Sequence, residues 1–156
     1  MEFMRNGKPR VVVTGLGAVT ALGNASSLWE NLKAGRSGIQ HITTIPSEHL
    51  SVKIAAEVRH FDSGAYIEPK EARRMGRASR FVTVAAYQAL EDAGLTVQDI
   101  EAISERVGVV VGTTLGSHEM STNATFEYRS TFNKPNPLAL INSLPNMPSH
   151  YISRFL

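Results

Sequence analysis

Apolar residues recur along this chain in two rhythms. Val11-Val12-Val13 is an unbroken β-branched run closed by Thr14-Gly15-Leu16-Gly17, the pattern of a strand buried on both faces. A helix is predicted next: Leu28 and Leu32 lie one turn apart, Ser27 and Glu30 have capping-box spacing, and Gly35 follows Lys33-Ala34 where a C-terminal cap belongs. The stretch from Gly35 to Ser51 reads as surface loop, and Val52 to Val58 alternates as a strand does. From Ser79 to Ala93, Phe81, Val84, Ala85, Ala89 and Leu90 keep helical spacing, with Gly94-Leu95 as the stop.

Val107-Gly108-Val109-Val110-Val111 is a second continuous apolar strand, ending at Gly112, and Ser117 is placed to cap a helix with Glu119 in its first turn. Alternating strands and helices predict an α/β fold with a largely parallel sheet. Residues 121–145 are polar, aromatic and proline-bearing, and read as an extended excursion with room for one irregular helix, rather than as core. Pro145 and Pro148 introduce a last helix carrying Met147, Tyr151, Ile152, Phe155 and Leu156. It ends on two large apolar residues without a cap or charge behind them. The sequence is therefore expected to be cut there, or to need another chain as cover.

Composition narrows the class. The chain has 156 residues, 42% hydrophobic and 19% charged, which suits one globular domain over 10–156 behind a polar tail, 1–9. No apolar run approaches the roughly 20 residues that cross a bilayer, and the opening residues lack a signal-peptide core, so a cytoplasmic protein without a membrane partner is expected. There is no cysteine, which excludes disulfides, thiolate zinc sites and a cysteine nucleophile within this chain. A net charge of +2 gives no reason to expect nucleic-acid binding. Charge is nonetheless uneven: residues 1–80 hold 12 basic against 7 acidic side chains, and residues 81–156 hold 4 against 7.

Few patterns carry chemistry on their own. Gly15-Leu16-Gly17 sits where a dinucleotide turn would, but Thr20 occupies the third glycine position, and Gly112 to Gly116 is followed by Ser117 with no P-loop lysine. Glycines serving tight turns and close packing explain both. The five histidines, His41, His49, His60, His118 and His150, include no pair at metal-ligand spacing, so no metal site and no acid, base or nucleophile is assigned. Lys70, Arg73, Arg74, Arg77 and Arg80 are spaced 3, 1, 3 and 3 apart and would share an arc of about 120° on a continuous helix, which Gly76 is placed to break. Such a stripe is either a solvated face paired with Glu68 and Glu71 or a docking surface for an acidic protein or a phosphate.

Taken together, Arg10 to Thr20, Leu22-Gly23-Asn24, Trp29, Leu32, Gly35 and Ser37-Gly38-Ile39 closely resemble the opening of β-ketoacyl-acyl-carrier-protein synthases of the KAS II type. The match continues through Arg73-Arg74-Met75, Ala85 to Leu95, Arg106 to Gly112 and Pro145-Asn146-Met147, covering nearly the whole chain from Arg10. The resemblance implies the N-terminal half of a thiolase-like fold, with layered helices and a mostly parallel sheet. It implies a role in elongating carrier-bound acyl chains by decarboxylative Claisen condensation with a malonyl carrier protein, in fatty-acid or polyketide synthesis. The family's cysteine, two histidines and lysine fall beyond Leu156, so no catalytic residue is expected in this chain, and no activity from it alone.

By the same resemblance, Lys70, Arg73 and Arg74, with Arg77 as a weaker member, match positions where the family docks its acidic acyl carrier protein. Leu115 falls where a residue gates the acyl pocket. Ala139 falls in an excursion that lines the pocket of a two-fold partner, where the family often has an aromatic. The implied partners are the carrier protein, a second ketosynthase chain in a homodimer or heterodimer, and the remainder of the ketosynthase. No cofactor is expected, since the substrate brings its own phosphopantetheine on the carrier. The alternative is a binding module: a non-catalytic partner subunit, or half of a split thiolase-fold pair.

Overall fold

The computed structural model describes residues 4–5 and 7–156. Two short strands, β1 (Met4–Arg5) and β2 (Lys8–Pro9), form an antiparallel hairpin within the expected tail. The helix α1 (Ala25–Lys33) begins earlier than Ser27, because Asn24 is the cap: its Oδ1 accepts from Ser27 N–H at 3.1 Å. Gly35, at φ 65°, follows the helix as expected. The expected loop from 35 to 51 contains β3 (Ile39–His41), which pairs antiparallel with β4 (Ile54–Ala56), the centre of the predicted 52–58 strand.

The axis of the molecule is α3 (Arg77–Asp92), preceded by the single-turn α2 (Pro69–Ala72) and stopped at Gly94, φ 68°. Then follow α4 (Val97–Glu101), whose Thr96 and Asp99 form a reciprocal capping box, and a 3-10 turn at Ser104–Arg106. The excursion is more helical than its composition suggested, with α5 (Glu119–Thr131) packed on α6 (Ala139–Ser143). The last helix, α7 (Met147–Phe155), lies along α3. Its Met147, Tyr151 and Ile152 are buried, so the apolar face expected to want cover is largely covered by this chain. Ile67, Met75, Val84, Met147 and Tyr151 form the core, flanked by Val19, Phe61, Tyr66, Ala72 and Phe155.

The two apolar runs depart from expectation. Val11 is 95% exposed and Val110 97%, and among the described residues 11–13 and 107–111 join no ladder. The ladders present are antiparallel, so the parallel pairing predicted for these runs is not formed. A doubly buried strand needs hydrogen-bonded neighbours at both edges and layers on both faces, and here only α3 is supplied. The glycine turn after the first run and the start of the second do lie beside it. Leu16 N–H donates to Asp92 Oδ2 and Ala18 N–H to Gln88 Oε1, while Val107 and Val109 face Ala86, Ala89 and Leu90 across a cavity of about 440 Å³. Among the described residues no helix is long and apolar enough to cross a membrane, and no group of three acidic or histidine side chains is placed to hold a metal ion.

Candidate functional site

The basic stripe folds as two pieces rather than one arc. Pro69 starts α2 and Arg73 ends it; Gly76 then breaks the path, and α3 starts at Arg77. The break has a packing cause. A Cβ at Gly76 would collide with the Ser117 side chain, whose hydroxyl lies 3.4 Å from Ser79 N and 3.3 Å from Ser79 Oγ inside the protein. Glu119 Oε1 accepts from Arg77 N–H at 2.8 Å, so the chain entering α5 satisfies the first turn of α3. Ser117, expected to cap its own helix, caps α3 instead.

Lys70, Arg73 and Arg74 come together at the surface, all three exposed. Among the described residues Lys70 and Arg73 have no ion-pair partner, while Arg74 lies 3.5 Å from Glu71 Oε1. Arg77 is differently employed: its guanidinium donates to the Val58 carbonyl and sits over the Phe81 ring at 4.9 Å, anchoring α3 to the 58–61 segment. Arg80 is half-buried, its Nε without a hydrogen-bond partner. It borders, with Arg73, Asp62 and Met75, a cleft of about 430 Å³.

Beneath the stripe lies a junction that local spacing announces only in its Glu71–Arg74 half. Glu71 also faces α7, where Arg154 Nη1 is 3.1 Å from Oε2. That oxygen is buried and accepts no hydrogen bond, so the pairing is by charge and not by a directed N–H. The Tyr151 hydroxyl lies 3.4 Å from the Arg74 carbonyl and 3.1 Å from Asn142 Oδ1. Burial first, and the Glu71 charge second, raise its pKa above the ordinary tyrosine value, with Arg154 and Arg74 opposing. The phenol is therefore a neutral tie between the turn after α2, α6 and α7.

Leu115 and Ala139 lie away from the stripe. Leu115 is 62% exposed in the turn before α5, beside Gly116, where a Cβ would come within 2.9 Å of Pro145 Cα. Ala139 is 6% exposed at the first turn of α6. Neither lines the apolar cavity between α3, α4 and α7.

The sequence model of one family, described as Beta-ketoacyl synthase, N-terminal domain, matches residues 8–156. The 3-oxoacyl-[acyl-carrier-protein] synthase 2 of Staphylococcus aureus (strain N315) is 42% identical over 111 residues, which are 70% of this chain and 26% of that protein. A solved structure described as the ishigamide ketosynthase/chain length factor shares the fold with a TM-score of 0.77 at 28% identity, over 92% of this chain and 36% of that one. A β-ketoacyl synthase from Burkholderia phymatum STM815 gives a TM-score of 0.75 at 30% identity, over 94% and 36%. The fold is thus the thiolase-like fold of the ketosynthases, in its N-terminal part, and the chain spans well under half the length of these relatives.

Proposed function

This chain belongs to the β-ketoacyl synthase N-terminal domain family, and from that premise we propose that it is the carrier-docking part of a 3-oxoacyl-carrier-protein synthase. The observation that carries this reading is the exposed cluster of Lys70, Arg73 and Arg74 at α2. The resemblance implies that these positions dock the carrier, and two of the three cations are unpaired among the described residues, available to an acidic carrier protein. Arg77, held by Val58 and Phe81, is the less available member of the set.

The condensing step itself is assigned elsewhere. In the proposed reaction a cysteine thiolate accepts the acyl group from its carrier, malonyl carrier loses carbon dioxide, and the resulting carbanion attacks the acyl thioester, releasing the 3-oxoacyl carrier and the thiolate. This sequence contains no cysteine, so that nucleophile is supplied outside these 156 residues. No resident cofactor is required, because the carrier's phosphopantetheine delivers the thioester. Leu115 and Ala139 are proposed to border the acyl pocket once its remaining walls are present. The exposed Phe126, Phe132 and Leu140 of the α5–α6 excursion are proposed to meet a second ketosynthase chain.

A second reading is favoured by the ishigamide neighbour, described as a ketosynthase/chain length factor: the full-length protein is a non-catalytic partner subunit. One experiment separates the two. The full-length protein is incubated with an acyl-carrier protein and its intact mass measured. A covalent acyl adduct supports the enzyme, and its absence with retained carrier binding supports the partner subunit.

A further inference from the structure

We infer that Glu71 is an intramolecular competitor for Arg74, and that Arg154 sets how strongly it competes, so that this junction tunes the affinity of the basic surface for its acidic partner. The inference rests on the docking reading above.

Glu71 is placed for this by its position under the surface. Its side chain is 15% exposed, whereas the Arg74 and Arg154 side chains are each about half exposed. One carboxylate thus faces two guanidiniums, from Arg74 just beyond α2 at 3.5 Å and from Arg154 on α7 at 3.1 Å. A carboxylate of an incoming protein that pairs with Arg74 must draw it from Glu71 Oε1. With Arg154 on Oε2, Glu71 keeps a counter-charge when Arg74 leaves, so the exchange does not strand a largely buried anion. Without Arg154, Glu71 would depend on Arg74 alone and hold it harder. The backbone at 74 is tied independently by the Tyr151 hydroxyl and by the Arg74 N–H donating to the Glu71 carbonyl, so neutralising the Glu71 side chain leaves the platform in place.

The signature is a pair of opposite effects. Binding of an acyl carrier protein to the full-length protein is measured by fluorescence anisotropy over a range of salt, with thermal unfolding of each variant alongside. Glu71→Gln frees Arg74 and should tighten binding about two- to fivefold, with a steeper salt dependence, the range expected for releasing one exposed ion pair. Arg154→Gln should weaken binding by about twofold, and the double variant should bind as Glu71→Gln does, because without the carboxylate Arg154 has nothing to moderate. Were Glu71 only a structural staple, both single variants would weaken binding in step with their melting temperatures, and that result overturns the inference. So does unchanged binding in Arg154→Gln, which remains decisive if Glu71→Gln fails to fold. Reversing Arg73 and Arg74 to Glu separates the levels: if that leaves carrier binding intact, the docking reading falls and this inference with it. If it weakens binding while the opposite signs are missing, only the competition is refuted.

Discussion

Gly17 lies flat against the carbonyl of Ala85 on α3, so closely that a Cβ at position 17 would collide with that oxygen. Gly15 makes the same approach one turn further along, where a Cβ would come within 2.9 Å of the Ala93 Cβ. The bare backbone brings Leu16 N–H to 2.8 Å from Asp92 Oδ2 and Ala18 N–H to 3.2 Å from Gln88 Oε1. A glycine turn that resembles a dinucleotide loop in sequence is a seat for a helix.

Gly17→Ala should therefore cost about 1–3 kcal/mol, the range for forcing extra volume into a packed contact. Gly108→Ala, where a Cβ meets nothing within 4 Å, should stay within about 0.5 kcal/mol of the parent. Denaturant unfolding of both variants checks this; equal stabilities would show that the 15–18 segment does not rest on α3.

A second expectation concerns acid. The Glu57 carboxylate accepts from the hydroxyls and backbone N–H groups of both Thr43 and Thr44, with Arg59 Nε at 3.2 Å. The Thr44 hydroxyl is the largest cause holding its pKa at about 2, with backbone N–H groups and the Thr43 hydroxyl adding and burial opposing. Because the folded value lies below the ordinary 4.5, this staple is complete above pH 4.5 and is lost as pH falls towards 2. The Thr43 and Thr44 amide resonances should move with a midpoint near 2. Glu57→Gln should abolish that titration and Thr44→Val should raise its midpoint. A midpoint near 4.5 in the parent would contradict the assignment.

Arg77 should behave as an anchor. Loss of its bond to the Val58 carbonyl and of its contact with Phe81 in Arg77→Gln should lower stability by about 1 kcal/mol. Lys70→Gln, with no ion pair to lose among the described residues, should change stability by less than about 0.5 kcal/mol. Thermal unfolding distinguishes the two; the opposite ranking would place Arg77 among the free cations.

What was legible in the sequence follows from how locally each feature is determined. The body of α3 is readable because Phe81, Val84, Ala85, Ala89 and Leu90 keep helical spacing and Gly94 marks the stop, although the helix starts at Arg77 rather than Ser79 and its buried side chains are Ser79, Thr83 and Val84. Lys70, Arg73 and Arg74 were readable as one cluster for the same reason. The valine runs are not, because a strand is completed by backbone partners distant in sequence, and among the described residues neither 11–13 nor 107–111 finds one. Ser117 had the right spacing to cap α5, but the space left by Gly76 draws its hydroxyl to Ser79, a tertiary contact that cap statistics do not contain. The Glu71–Arg74 half of the junction follows from i,i+3 spacing; the Arg154 half exists only because α7 packs back beside α2 and α3.

The most direct test of the central claim is charge reversal at the basic surface of the full-length protein. Arg73→Glu combined with Arg74→Glu should raise the KM for a carrier-bound acyl substrate by about tenfold or more and flatten its salt dependence, since steering by exposed charges is screened over about 8–10 Å at physiological ionic strength. Acylation by a small carrier-free thioester should stay within about twofold of the parent, because the reversed residues act on encounter with the carrier and not on the bond being made. Arg36→Glu combined with Lys53→Glu, two exposed cations outside the stripe and outside the α5–α6 excursion, is the charge-matched control and should leave both unchanged. If carrier kinetics and their salt dependence are the same in the double variant as in the parent, α2 is a solvated helix face and the docking account is wrong.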